Sequence, residues 1–158
     1  MLLFLSTTTN KVDKKGRVSV PAAFRAQLPA EGYQGVVVYE SLKYNCIEGA
    51  DLGFMERITD SINGDFGLYS DAHEALANSI LGGAHQLSFD PEGRILIPKD
   101  LLAYAGIEGE ATYVGLGKSF QIWNPAAYVE HKAQFKQRAL KEIPNLRPIG
   151  RGPDGGRP

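Results

Sequence analysis

Along the chain, β-branched residues alternate with other side chains at Val18 and Val20 and again at Ile95 and Ile97. A period of two marks a strand with one face in a core. Arg17 and Ser19 then share the opposite face of the first strand, and Arg94 and Leu96 that of the second. Each run ends in a proline, Pro21 or Pro98, which stops a strand and fits the first turn of a helix. Short helices are predicted over 22–28, with Phe24 and Leu28 one turn apart, and over 99–105, closed by Gly106. Strand pairs follow at 35–48 and 110–123, where Leu42 and Cys46 match Leu116 and Phe120.

Longer helical patterns come after each strand pair. Leu52, Met55, Ile58 and Ile62 have helical spacing; a further segment spans 71–81, with Asp71 and Glu74 at capping-box spacing and Gly82-Gly83 as its stop. The last helix is predicted over 125–143, with Asn124 as N-cap and an apolar stripe of Val129, Phe135, Ala139 and Ile143. The Pro- and Gly-rich stretch 144–158 reads as a disordered tail. The apolar opening Met1-Leu2-Leu3-Phe4-Leu5 has no basic start and is shorter than the roughly 7–15 residues of a signal-peptide core, so it reads as the start of a strand.

Comparing the chain with itself shows why the elements recur. Asp13-Lys14-Lys15-Gly16-Arg17-Val18-Ser19-Val20-Pro21 returns as Asp90-Pro91-Glu92-Gly93-Arg94-Ile95-Leu96-Ile97-Pro98. Asp, Gly, Arg and Pro are identical, and the first and fourth places of a type I turn favour Asp and Gly. Each half therefore reads as strand, turn, strand, short helix and hairpin.

The 158 residues suffice for one core, or for two small ones that lean on each other. Hydrophobic residues at 43% and charged residues at 22% fit an ordinary soluble globular protein. Seventeen basic against eighteen acidic residues create no overall positive field, so any attraction to nucleic acid has to be local. The single cysteine, Cys46, has no internal disulfide partner and reads as a small buried apolar residue in a cytoplasmic protein. No apolar run approaches the roughly 20 residues of a membrane span.

Asp13 to Arg25 and Asp90 to Pro98, with the closing strand Phe120-Gln121-Ile122-Trp123, resemble the paired signatures of the MraZ family of bacterial transcription factors, which carry two AbrB-like modules in one chain. The resemblance covers about residues 4–143. It implies an α+β fold in which tandem swapped-hairpin β modules form a pseudo-dimeric, interleaved β-barrel with flanking helices. It divides the chain into a first module at 4–50, a linking helical segment at 51–83, a second module at 84–125, a C-terminal helix at 126–143 and the tail. It further implies a nucleoid-associated homo-oligomer, a ring of several chains. Such a ring binds double-stranded DNA at repeated promoter boxes upstream of the division and cell-wall gene cluster. Separately from the resemblance, no cofactor, metal, membrane or small-molecule substrate is expected. Similar proteins often carry arginines in the linking helix, where this chain has Leu76-Ala77-Asn78-Ser79.

Charge singles out the DNA-binding candidates Lys14, Lys15, Arg17, Arg25 and Arg94. Residues 11–25 hold five basic side chains against Asp13, a balance of +4, whereas residues 88–102 hold two against three, a balance of −1. The first turn is the better phosphate-binding surface, and an arginine on a strand can also reach base acceptors in the major groove. Arg94 either contacts DNA or pairs with Asp90 or Glu92 to organise its turn. Asp13 and Asp90 read as turn-formers rather than catalytic acids. Gly115-Leu116-Gly117-Lys118-Ser119 ends like a phosphate-binding loop, but Thr112 stands where its first glycine belongs and a strand follows, so a hairpin turn is expected. His73, His85 and His131 lack metal-ligand spacing. No nucleophile–base pair is apparent, and an enzyme is not expected. Two other functions fit the same residues: a structural or protein-interaction ring without a DNA role, and an AbrB-type antitoxin.

Overall fold

The computed structural model describes residues 2–148. Two compact units divide the chain, Met1–Pro125 and Ala126–Pro158. The first contains strands β1 (Thr7–Lys11), β2 (Arg17–Ser19), β3 (Gly35–Glu40), β4 (Ile47–Ala50), β5 (His85–Ser88), β6 (Arg94–Leu96), β7 (Glu110–Gly115) and β8 (Phe120–Trp123). Its helices are α1 (Ala22–Arg25), α2 (Leu52–Asp65), α3 (Asp71–Leu76) and α4 (Lys99–Ala105). Apart from its first residue, α5 (Pro125–Glu142) lies in the second unit.

The fold is mixed α+β, with every strand pair antiparallel. Six strands form one sheet in the order β1-β7-β8-β4-β3-β5, and β2 and β6 form a separate ribbon. The first strand of each half pairs with the hairpin of the other: β1 with β7, and β5 with β3. The hairpins meet at β4 and β8, where Ile47 faces Ile122. Exchanging the repeats maps this strand order onto itself, so neither half completes its hydrogen bonding without the other.

The alternating residues face inward as expected. Val18, Val20, Ile95 and Ile97 are buried beneath the ribbon, with Phe4, Phe24, Tyr113 and Phe120 in the same core. Phe4 meets Phe24 and Phe120 edge-on, with centroids 5.2 and 5.0 Å apart, and Phe24 lies 5.3 Å from Phe120. These are favourable aromatic separations, and the rings come from both halves.

Tyr113 lies in this core 5.9 Å from Phe24, and among the described residues its hydroxyl has no hydrogen-bond partner. Burial raises the pKa of that hydroxyl, keeping it neutral. An unsatisfied buried hydroxyl costs about 1–3 kcal/mol. Tyr113→Phe is therefore expected to leave stability unchanged or raise it by about 1 kcal/mol in urea unfolding; a loss above about 1 kcal/mol would reveal a partner for the hydroxyl.

Local differences from the sequence expectations have physical causes. Helix α1 is a single turn; the chain continues to Leu28 through a bond from its N–H to the Arg25 carbonyl. Pro21 and Pro98 occupy the N-cap position, each carbonyl accepting from the third and fourth residues beyond. Ser70, rather than Asp71, caps α3, its hydroxyl accepting from the His73 N–H at 3.1 Å, so the Asp71–Glu74 spacing is not the cap. The helix runs on from α3 as a π-helical stretch over Ala77–Leu81, with the Gly82 N–H donating to the Ala77 carbonyl. Gly106 closes α4 in the left-handed conformation, as expected.

In the second unit, the α5 ring of Phe135 stacks on His131 at 5.8 Å, with the Arg138 guanidinium 5.0 Å from its centroid. Val129, Leu140 and Ile143 are exposed. Ile143–Asn145 form a 3₁₀ turn across the expected start of the tail, and residues 149–158 of that stretch lie outside the described residues. No described helix is long and apolar enough to cross a membrane.

Candidate nucleic-acid interface

The two repeated turns are built alike. The Gly16 N–H donates to the Asp13 carbonyl at 3.0 Å, and the Gly93 N–H to the Asp90 carbonyl at 2.9 Å. Gly16 at φ +93° and Gly93 at φ +77° adopt a conformation that side chains oppose. Asp13 Oδ1 accepts from the backbone N–H groups of Lys15 and Arg17 at 3.0 and 2.8 Å; Asp90 Oδ1 accepts from those of Glu92 and Arg94 at 2.9 Å. The Arg17 and Arg94 backbone bonds contribute most to holding these carboxyls below the ordinary carboxylate range. Both are charged at neutral pH, as turn-formers rather than proton carriers.

Each aspartate also orients the arginine of its repeat. Arg17 Nε donates to Asp13 Oδ2 at 2.6 Å, and Arg94 Nε donates to Asp90 Oδ2 at 2.8 Å. The difference lies at the far edge of the guanidinium. Among the described residues, Arg17 has no partner at its Nη groups, whereas Arg94 Nη2 lies 3.7 Å from Glu92 Oε1. The Arg17 side chain is 38% exposed and that of Arg94 26%.

The two arginines share one outward face. Across the ribbon Arg17 stands opposite Leu96 and Ser19 opposite Arg94, on either side of the buried pair Val18 and Ile95. The ribbon is closed further by the Val20 N–H to the Gly93 carbonyl and the Ile97 N–H to the Gly16 carbonyl.

Around this face the structure redistributes the charges counted along the chain. Lys14 and Lys15 line a groove between the first turn and α4, which adds Lys99. Arg25 is elsewhere: its guanidinium covers Gly93 in the second turn, with Nε donating to the Val20 carbonyl at 3.1 Å. Its repeat counterpart Leu102 lies against Gly16. Each short helix thus packs on the turn of the other half, which brings Arg25 beside the acidic second turn and Lys99, with Glu108, into the groove beside the first. Charge counted in sequence windows assigned Lys99 to the second turn; pairing each helix with the other turn would have placed it at the first. Lys11, which entered that count, faces Glu110 across β1 and β7.

Comparison with known proteins bears directly on this arrangement. The model of the MraZ protein family, antitoxin-like in its description, matches residues 80–145, which include the second repeat. A protein of Rickettsia akari (strain Hartford), named Transcriptional regulator MraZ, is 44% identical over 147 residues, covering 93% of this chain and 98% of that protein. The chain belongs to the MraZ family. Relatives of the same name from Rickettsia bellii (strain OSU 85-389) and Rickettsia canadensis (strain McKiel) are each 40% identical, again over 93% of this chain and 98% of their own.

In this MraZ-family chain the loop resembling a phosphate-binding motif is the turn joining β7 and β8, with the Leu116 N–H donating to the Ser119 carbonyl at 2.9 Å. Trp123 is a core residue, its indole N–H donating to Gln121 Oε1 at 2.9 Å. Cys46 is buried, and burial, with the nearby Glu48 charge, pushes its thiol up to about 12, an inert setting. Among the described residues no His, Cys, Asp and Glu cluster could hold a metal ion.

Proposed function

We propose that this chain is a sequence-specific DNA-binding transcriptional regulator, a cytoplasmic, nucleoid-associated and non-enzymatic protein that recognises repeated promoter boxes upstream of the division and cell-wall gene cluster. The carrying observation is the outward face of the β2–β6 ribbon, where turn aspartates hold Arg17 and Arg94 by Nε and three lysines flank the first turn. A two-stranded ribbon fits the major groove of DNA, where arginine can bind the O6 and N7 acceptors of guanine. Lys14, Lys15 and Lys99 lie where phosphates would flank such a ribbon, and Arg25 reinforces the second turn. The names of the relatives support the same role.

The exchanged pairing of first strands and hairpins supports an interleaved, pseudo-dimeric barrel built from tandem swapped-hairpin modules. Exposed Val129, Leu140 and Ile143 on and just beyond α5 support assembly of several chains into a ring. Such a ring engages neighbouring boxes together, which raises apparent affinity without new contacts.

The test is salt-dependent binding of the full chain to DNA upstream of its own gene and to scrambled DNA. Lys15→Ala is expected to weaken both and reduce the slope of log affinity against log salt by about one unit. Binding with no salt dependence overturns the DNA reading and favours a protein-interaction ring, consistent with the near-neutral whole-chain charge.

A further inference from the structure

The outward face of the ribbon departs from the symmetry of its halves at one position. Its side chains are Arg17 and Ser19 on β2 and Arg94 and Leu96 on β6. The repeat relates Arg17 to Arg94 and Ser19 to Leu96. One guanidinium consequently stands opposite an isobutyl group, and the other opposite a hydroxyl.

Leu96 is 55% exposed, although the positions next to it in β6 and after it, Ile95 and Ile97, are buried. Its Cδ1 lies beside the first turn, 3.7 Å from where a Cβ on Gly16 would sit. Leu96 is thus an exposed apolar side chain on the same face as Arg17 and Arg94, the face proposed to enter DNA. The apolar group exposed by bases in the major groove is the C5-methyl of thymine. Directly opposite residues of an antiparallel pair have Cβ atoms about 4.5–5.5 Å apart. That separation is between one and two base steps of about 3.4 Å, placing such a methyl close to the base read by Arg17.

We propose that Leu96 is a specificity-determining residue that packs on a thymine methyl next to the guanine taken by Arg17. Ser19, its counterpart beside Arg94, makes no such demand. The bound box is therefore asymmetric, although the fold that reads it is nearly two-fold symmetric. This inference rests on the DNA-binding reading above and adds the chemistry of a second base.

The experiment uses the full chain and a duplex that it selects from a random pool. Each thymine of that duplex is replaced in turn by deoxyuridine, which lacks only the methyl group, and affinity is measured at fixed salt. For the wild type, one thymine per box is expected to lose about three- to fivefold in affinity, the scale of one buried methyl group. Leu96→Ser is expected to bind the thymine and uracil duplexes equally while keeping its guanine preference and its melting temperature. Ser19→Leu is expected to gain sensitivity to a thymine in the other half of the box. Equal binding of thymine and uracil duplexes by the wild type, or retained sensitivity in Leu96→Ser, overturns the role of Leu96 while leaving DNA binding intact. Failure to select any sequence overturns the DNA-binding reading itself, and this inference with it.

Discussion

Arg17→Ala is expected to abolish the preference for box over scrambled DNA, whereas Arg94→Ala reduces it only partly. Both arginines are held through Nε by the aspartate four residues earlier, so local turn geometry does not distinguish them. What distinguishes them is the outer edge of the guanidinium. The Nη groups of Arg17 have no partner among the described residues, whereas Glu92 lies 3.7 Å from Arg94 Nη2 and competes with any base acceptor. A good bidentate contact to guanine supplies roughly 1–3 kcal/mol of discrimination, and simultaneous binding of several boxes compounds its loss. The measurement is the affinity of folded wild type and variants for tandem-box and scrambled DNA over a range of salt. Loss of specificity in Arg94→Ala as complete as in Arg17→Ala would show that Glu92 does not restrain its arginine. No loss in either would remove the ribbon from the interface.

Phe120→Ala is expected to cost about 3–5 kcal/mol, the usual range for deleting a buried phenylalanine ring. Phe120 is fully buried against Phe4 and Phe24, and its ring covers Gly49 on the neighbouring strand, where a Cβ would collide with it. The loss takes a large share of a typical domain stability of about 5–15 kcal/mol. Because Phe4, Phe24 and Gly49 belong to the first half and Phe120 to the second, the whole of the first unit should melt earlier in one transition. Urea unfolding followed by fluorescence and circular dichroism checks this. A loss below about 1 kcal/mol, the ordinary effect of a point substitution, would mean that the aromatic cluster does not join the halves.

The sequence by itself determined those features that neighbours on the chain decide. Asp13 and Gly16, like Asp90 and Gly93, carry their turn in their own chemistry, since an aspartate accepting nearby N–H groups and a glycine at positive φ need no distant partner. Alternation placed Val18, Val20, Ile95 and Ile97 inward and both arginines outward, because successive side chains of a strand point to opposite faces. Gly106 ended α4 for a similarly local reason. A local pattern could still mislead where two side chains compete, as when Ser70 took the cap that the Asp71–Glu74 spacing offered.

Tertiary structure alone decided which half each element serves. Arg25 follows the first turn in sequence but lies on Gly93 of the second, while Lys99 crosses to join Lys14 and Lys15. This exchange of one cation for another leaves the charge balance of the two turns as it is along the chain and changes which side chains supply it. The exposed pairing of Leu96 with Arg17 likewise depends on strand register between residues 75–79 positions apart in the chain. A sequence window records covalent neighbours, whereas coulombic and packing energies depend on distance through space, and exchanged strand pairing separates the two.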